Sequence, residues 1–259
     1  MPEIVTEDGC AIHYRLDGPA EAPVVLLTNP LGASLDVWEA QVAPLTARYR
    51  VLRHDCRGHG ASGVPAGPYS IERLARDVLA LLDGLGIAST RFVGVSMGGA
   101  IGQWLGAHAG DRLTRLVIAC STAQGGNHAV WNERIALIEA KGMGAVVPGV
   151  LDRWFTPEFR AEWPGVVERI GGMLRAAPPK GYAASAAAVR DHDQSAALGG
   201  IGVPTLVIGA TRDASTPIEQ VRALAEAISG ARLVELASAH LAPVEQAQAF
   251  NRHLSEFLG

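Results

Sequence analysis

Cysteine is scarce in this chain of 259 residues, which holds only Cys10, Cys56 and Cys120. An odd, widely spaced set without a C-x-x-C pair fits neither a disulfide framework nor a zinc site. We therefore predict three reduced thiols. No motif in the sequence requires a metal ion or an organic cofactor, so we expect neither.

An excess of positive charge and a long apolar run are also missing. Lys and Arg total 22 against 26 Asp and Glu, which gives a net charge of −4 and no electrostatic affinity for nucleic acid or an anionic membrane surface. No run approaches the roughly 18 apolar residues of a membrane helix, and the start is not a secretory signal. These absences predict a cytoplasmic protein that acts on a small molecule and has no nucleic-acid or membrane partner. We expect a monomer or a small homo-oligomer, between which the sequence does not decide.

Hydrophobic residues make up 48% of the chain, enough for a substantial core. Short β-rich segments alternate with amphipathic stretches, which predicts parallel strands joined by helical crossovers and therefore an α/β fold. The predicted strands cover residues 24–28, 49–54, 91–95, 113–119, 205–209 and 232–236, and the predicted helices cover 71–85, 98–109, 218–229 and 244–258.

The stretch 121–197 has a different character. It contains no convincing strand pattern, holds three of the five tryptophans, and its helix-like stretches are broken by prolines. We interpret it as a helical cap inserted into an α/β core formed by residues 1–120 and 198–259.

The motif Gly94-x-Ser96-x-Gly98 directly follows a predicted strand and opens a predicted helix. That context is required for a nucleophile elbow, a tight strand-to-helix turn that lifts a serine oxygen above the sheet. The alternative is a serine in an ordinary glycine-rich turn or helix N-cap. The context favours Ser96 as a nucleophile.

A serine hydroxyl needs a general base, and His240 lies in the loop after the last predicted strand. His59 competes, but it precedes Ser96, whereas an elbow serine is followed in the chain by its acid and then its histidine. We predict that His240 is the base and that His59 shapes a loop.

The acid that orients the histidine should follow a strand between Ser96 and His240, as Asp213 does. Asp191 and Asp193 are rivals in the predicted cap. Glu219 is a third rival, but we assign it to a capping box that begins at Thr216, with proline at the first helical position.

An oxyanion hole needs two N–H groups directed at the developing negative charge. Met97, directly after the serine, is one candidate donor. The loop after strand 24–28 should supply the other, and Leu31 is the best candidate because Pro30 has no N–H.

Taken together, these residues resemble the α/β-hydrolase family over the whole chain, and the 3-oxoadipate enol-lactonases of the β-ketoadipate pathway within it. The family likeness lies in the elbow, in Asp55-x-Arg57-Gly58-His59-Gly60-x-Ser62, in Asp213-x-x-Thr216-Pro217 and in the closing histidine. The likeness to the lactonases lies in Asn29-Pro30-Leu31-Gly32, Trp38-x-x-Gln41, Ala239-His240-Leu241, Glu245-Gln246 and the cap segments 153–159, 178–183 and 189–193. Asn-Pro at 29–30 departs from the more usual Asn-Ser of that branch.

The resemblance implies a mostly parallel sheet with a helical cap and an acyl-enzyme mechanism that opens 3-oxoadipate enol-lactone. Because that lactone carries a carboxylate side arm, the cap should supply a cation, and Arg134 beside Trp131 is the candidate. Trp154 is a candidate for the pocket wall. A solvated arginine and ordinarily packed tryptophans are the alternatives.

Other activities of the same fold stay open, because the cap and not the triad sets the substrate. A carboxylesterase or a carbon–carbon bond hydrolase is the nearest alternative. A small-molecule receptor that keeps the triad but hydrolyses slowly is more distant. A dehalogenase is disfavoured because position 96 would need to be aspartate.

Overall fold

The computed structural model describes residues 2–259 and contains one sheet of eight strands. The strands are β1 (Glu3–Val5), β2 (Ala11–Asp17), β3 (Val24–Thr28), β4 (Arg50–His54), β5 (Thr90–Val95), β6 (Leu113–Ala119), β7 (Thr205–Ala210) and β8 (Arg232–Leu236). Their order is β1-β2-β4-β3-β5-β6-β7-β8, in which β2 is antiparallel to both of its neighbours, β1 and β4, and every other neighbouring pair is parallel. The predicted α/β fold with a mostly parallel sheet is confirmed.

Eleven α-helices accompany the sheet in the described part of the chain. They are α1 (Glu39–Thr46), α2 (Ile71–Gly84), α3 (Met97–His108), α4 (His128–Lys141), α5 (Val147–Trp154), α6 (Pro157–Glu162), α7 (Pro164–Ala176), α8 (Pro179–Asp191), α9 (Ile218–Ala227), α10 (Ala242–Glu245) and α11 (Ala247–Leu258).

The sheet separates two apolar clusters because side chains alternate along each strand. In β3, Leu26 joins the cluster that contains the apolar stripes of α2, α3 and α9, whereas Val25 and Leu27 join the cluster that contains α11. Both faces of the central strands are therefore buried, which explains their continuous apolar runs.

Three elements lie outside the predicted pattern, namely β1, β2 and α1. The sequence of β2 mixes polar and apolar residues, and its pairing with β1 and β4 is antiparallel at the sheet's edge. The predicted helix 244–258 is wrong in one respect, because a break at Gln246 divides it into α10 and α11.

Between β6 and β7 the chain forms five helices, α4 to α8, and no strand beyond a single bridge between Gln124 and Asp193. The prolines of this segment start helices: α5, α6, α7 and α8 each have proline in the first turn. Proline suits that position because its missing N–H has no intrahelical acceptor there. The division into core and cap at residues 121 and 197 stays a prediction.

The fold brings the loops after β3, β5, β7 and β8 to one edge of the sheet, because parallel strands end on the same side. Among residues 2–259, no helix has the length and apolar character to cross a membrane.

Candidate active site

Ser96 lies at the turn between β5 and α3 in a left-handed backbone conformation, with φ of 57° and ψ of −114°. A side chain at either flanking glycine would collide with backbone. A Cβ at Gly94 would lie 2.1 Å from the Gly98 carbonyl oxygen, and one at Gly98 would lie 2.2 Å from the Thr28 carbonyl oxygen. Both positions therefore require glycine, and a serine in this conformation indicates strain at a functional turn.

Asp213 lies in the loop after β7 and is almost fully buried. Its Oδ1 accepts hydrogen bonds from the N–H groups of Ser215 at 2.7 Å and Thr216 at 3.0 Å, and its Oδ2 accepts one from the Thr216 hydroxyl. Oδ2 also lies 2.6 Å from Nδ1 of His240. Burial alone raises the pKa of this carboxyl, but His240 and the Thr216 hydrogen bonds outweigh it, so the pKa lies below its usual value.

The predicted capping box at Thr216 is wrong. The Thr216 hydroxyl donates to Asp213 and does not cap α9, and Pro217 occupies the N-cap position before Ile218. Glu219 pairs with Arg222 at 3.1 Å on the helix surface. The sequence pattern is the same in both arrangements, but the buried carboxylate of Asp213 is the stronger acceptor.

His240 lies in the loop after β8 and is 3% exposed. A neutral imidazole that donates its Nδ1 proton to Asp213 leaves a lone pair on Nε2. Nε2 has no hydrogen-bond partner among residues 2–259. His240 and Ser96 line the same cavity, so a proton acceptor and a serine hydroxyl face one space.

The loop after β3 is held by its own side chains. Asn29, which is fully buried, donates to the His54 carbonyl oxygen at 2.9 Å and accepts from the Trp38 indole N–H at 2.8 Å. The N–H groups of Leu31 and Met97 donate to no acceptor among residues 2–259. Leu31 also lines the cavity. Both amides are therefore free to bind an anion, although their role stays a prediction.

His59 is buried and does not line the cavity. Its Nε2 accepts a hydrogen bond from the Gly32 N–H at 2.8 Å, and its Nδ1 lies 3.1 Å from the Arg57 carbonyl oxygen. Burial lowers the pKa of His59 to about 4, so the ring is neutral near pH 7. The contacts are those of a residue that shapes the loop containing Leu31.

The cavity has a volume of about 360 Å³ and is closed on one side by the helical segment. The three residues predicted there, Trp131, Arg134 and Trp154, all line it. The Arg134 guanidinium carbon lies 4.5 Å from the centroid of the Trp131 ring, a cation–π contact that orients the arginine. Trp154 is buried, and its ring centroid lies 6.2 Å from that of His240.

Two further cavity residues, Arg153 and Tyr182, were not singled out as binding residues by the sequence. Burial lowers the pKa of Arg153, and the charge of Arg134 lowers it further, so the two guanidinium groups lie close enough to repel. Neither arginine forms a salt bridge among residues 2–259, and no Asp or Glu lines the cavity. The cavity therefore presents two cations without a protein counter-ion, which suits an anionic ligand.

The sequence places Arg153 in the cap segment 153–159 that resembles the lactonases, but it does not show that the side chain faces the cavity. Its side chain reaches the cavity from the last turn of α5, and that direction depends on how α5 packs on the core. Trp154, its neighbour, is buried against the second apolar cluster together with Phe155 and Ile170.

Metal binding has no support in the described part of the chain, where no group of three or more His, Cys, Asp or Glu side chains could hold an ion.

Comparison with known proteins agrees with this geometry. A family model described as the alpha/beta hydrolase fold matches residues 23–247. The chain belongs to the α/β-hydrolase family. It is 36% identical to 3-oxoadipate enol-lactonase 2 of Acinetobacter baylyi over 249 residues, which cover 96% of this chain and 93% of that protein.

Two other relatives show how far the likeness extends within this α/β-hydrolase family. The crystal structure of the enol-lactonase from Burkholderia xenovorans LB400 matches with a TM-score of 0.97 and 40% identity, covering 99% of each chain. A putative carbamate hydrolase, RutD of Variovorax paradoxus, is 32% identical and covers 95% of this chain and 96% of that protein. The chain is a hydrolase, and these relatives define the choice of substrates to test.

Proposed function

We propose that this protein is a serine hydrolase that opens the ring of 3-oxoadipate enol-lactone to give 3-oxoadipate. The observation that carries the proposal is the cavity, which is lined by Ser96, by His240 and by two arginines without a counter-ion, with Asp213 hydrogen-bonded to His240 behind the cavity wall. The lactonase relatives support the substrate, because that lactone is a cyclic ester with a carboxylate side arm.

In the first half of the reaction, the Nε2 of His240 takes the Ser96 proton as Oγ attacks the lactone carbonyl carbon. The resulting oxyanion accepts hydrogen bonds from the N–H groups of Leu31 and Met97. The ring C–O bond then breaks, the enol oxygen takes the proton from His240, and the released enol tautomerises to a ketone. The acyl group stays on Ser96.

In the second half, His240 removes a proton from water, which attacks the acyl carbon. Collapse of this second oxyanion breaks the bond to Ser96, and His240 returns its proton to the serine oxygen. Asp213 keeps the imidazole in the tautomer with Nδ1–H throughout and stabilises its charged form.

The residues of the helical segment act on selectivity. Arg134 and Arg153 bind the carboxylate of the side arm, and the rings of Trp131 and Trp154 bound the space beside it. In this proposal residues 121–197 are the cap, and residues 1–120 and 198–259 form the catalytic core.

Steady-state hydrolysis of the enol-lactone by the wild type and by Ser96→Ala tests the proposal, with short p-nitrophenyl esters and a short carbamate as competing substrates. We expect lactone turnover in the wild type and none above background in Ser96→Ala. Preferred turnover of the carbamate would favour the activity that the RutD relative's name suggests. Turnover of esters alone would support the serine-hydrolase mechanism but reject the lactone as the substrate. Binding of the lactone without turnover would indicate a receptor.

A further inference from the structure

Glu245, at the end of α10, has a half-buried carboxylate whose partners are all hydrogen-bond donors without charge. Its Oε2 accepts from the Ala239 N–H at 3.0 Å, directly before His240. Both its oxygens lie 3.3 Å from the Thr156 nitrogen, and Oε1 also accepts from the Thr156 hydroxyl. No Lys, Arg or His pairs with Glu245 among residues 2–259.

The contacts of Glu245 join two segments that are distant in the sequence. One is the loop that carries His240. The other is the strap, residues 153–156, which comprises the last two residues of α5 and the two residues that lead into α6. Backbone hydrogen bonds reinforce the junction: the Leu241 N–H donates to the Trp154 carbonyl oxygen at 3.0 Å, and the His240 N–H donates to that of Arg153 at 3.4 Å.

The strap also carries two side chains that line the cavity, those of Arg153 and Trp154. One short segment therefore presents groups to the ligand and accepts hydrogen bonds from the backbone of the histidine. A shift of the strap relative to the His240 loop would therefore displace the cavity side chains and disturb the hydrogen bonds to the histidine backbone at the same time.

We propose that Glu245 is a positioning residue, whose carboxylate fixes the His240 loop to the strap and so keeps the base in line with Ser96 and the cavity. This inference rests on the proposed serine-hydrolase function. It also gives a role to Glu245 and Thr156, which the reaction described above leaves unused.

Glutamine replaces Glu245 only in part. Its amide offers one acceptor oxygen where the carboxylate offers two. Its NH₂ group would face the Ala239 N–H in one orientation, and in the other it would make the Thr156 hydroxyl turn from donor to acceptor. Since a displacement of about 1 Å in a reacting group can cost on the order of a hundredfold in rate, we expect kcat to fall about 10- to 100-fold in Glu245→Gln.

The test measures kcat per reactive site, with sites counted by a fluorophosphonate that labels the serine. The substrates are p-nitrophenyl acetate, which is neutral and has no side arm, and the enol-lactone. We expect kcat to fall on both in Glu245→Gln, with KM for p-nitrophenyl acetate unchanged. Thr156→Val should reproduce the loss, and Thr156→Ser, which keeps the hydroxyl, should restore the wild-type kcat.

Thr156 also caps α6, since its hydroxyl accepts from the Phe159 N–H at 3.3 Å. Ser70→Ala is the matched control, because it removes an N-cap of the same kind from α2. It should lower the Tm and leave kcat per site unchanged.

A merely structural Glu245 would lower the Tm or the number of sites and leave kcat per site at the wild-type value, which would overturn the inference alone. A wild type that neither reacts with the fluorophosphonate nor hydrolyses either substrate would overturn the proposed function as well.

Discussion

The cavity is built by two regions that hold their side chains in different ways. At the sheet edge, backbone contacts fix Ser96 and Asp213. Close backbone approach requires glycine at positions 94 and 98, and the N–H groups of Ser215 and Thr216 donate hydrogen bonds to the aspartate. In the helical segment, Arg134 is directed by its contact with the Trp131 ring, and Arg153 by the packing of its neighbour Trp154 on the core. Backbone constraints leave motifs in a sequence, whereas packing leaves few. The difference suggests that the sheet edge supplies the chemistry and the helical segment supplies the choice of ligand.

The largest effect should come from the sheet edge, in Asp213→Asn. The asparagine oxygen can still accept from Ser215 and Thr216, but its NH₂ group would face Nδ1 of His240 and select the wrong tautomer. We expect kcat for the lactone to fall by roughly 10⁴-fold with the fold intact.

The matched control for that variant is Asp193→Asn, because Asp193 accepts from the Ser195 N–H at 3.0 Å in a similar turn but is exposed. It should keep the wild-type kcat. Full activity in Asp213→Asn would show that Asp213 does not serve as the catalytic acid.

An intermediate effect is expected from the helical segment, in Arg134→Gln and Arg153→Gln. Each removes a charge-assisted contact to the substrate carboxylate, so kcat/KM for the lactone should fall about 10- to 100-fold, chiefly through KM. Turnover of p-nitrophenyl acetate should stay unchanged, since that ester has no carboxylate. Arg175→Gln, an exposed arginine on α7 that pairs with Glu168, is the control. Equal losses on both substrates would assign the arginines to structure.

The smallest effect concerns His59, which holds the loop containing Leu31, and its influence on the free energy of unfolding at acid pH. His59 has a folded pKa of about 4 against an ordinary 6.5, so between these values the unfolded chain binds a proton that the folded chain does not. Its contribution therefore destabilises the fold as the pH falls from about 6.5 to 4.

Urea unfolding of His59→Gln across that range tests the sign. The loss of unfolding free energy on acidification should be shallower than in the wild type, by up to about 1.4 kcal/mol per pH unit. His108→Gln, at the exposed end of α3, controls for the substitution itself. The same slope in His59→Gln and in the wild type would mean that His59 does not titrate in this way.

What can be predicted from the sequence also differs between the sheet edge and the helical segment. The sequence predicts the parallel strands because burial on both faces requires apolar runs. It predicts Ser96, Asp213 and His240 as site residues because each follows one of those strands. Strand β2 is not predicted, because its position near the edge of the sheet permits a mixed sequence of polar and apolar residues. The cavity position of Arg153 and the Glu245–Thr156 contact are not predicted either. Both depend on how a helical segment packs on the core, which the spacing of residues in the sequence does not show.

The central claim is that the sheet edge performs the reaction and the helical segment selects the ligand. Its most direct test is the ratio of kcat/KM for the enol-lactone to that for its methyl ester, measured in the wild type. We expect a preference of about 10- to 100-fold for the free carboxylate, because only that form can pair with Arg134 and Arg153. A methyl ester hydrolysed as efficiently as the free acid would contradict it.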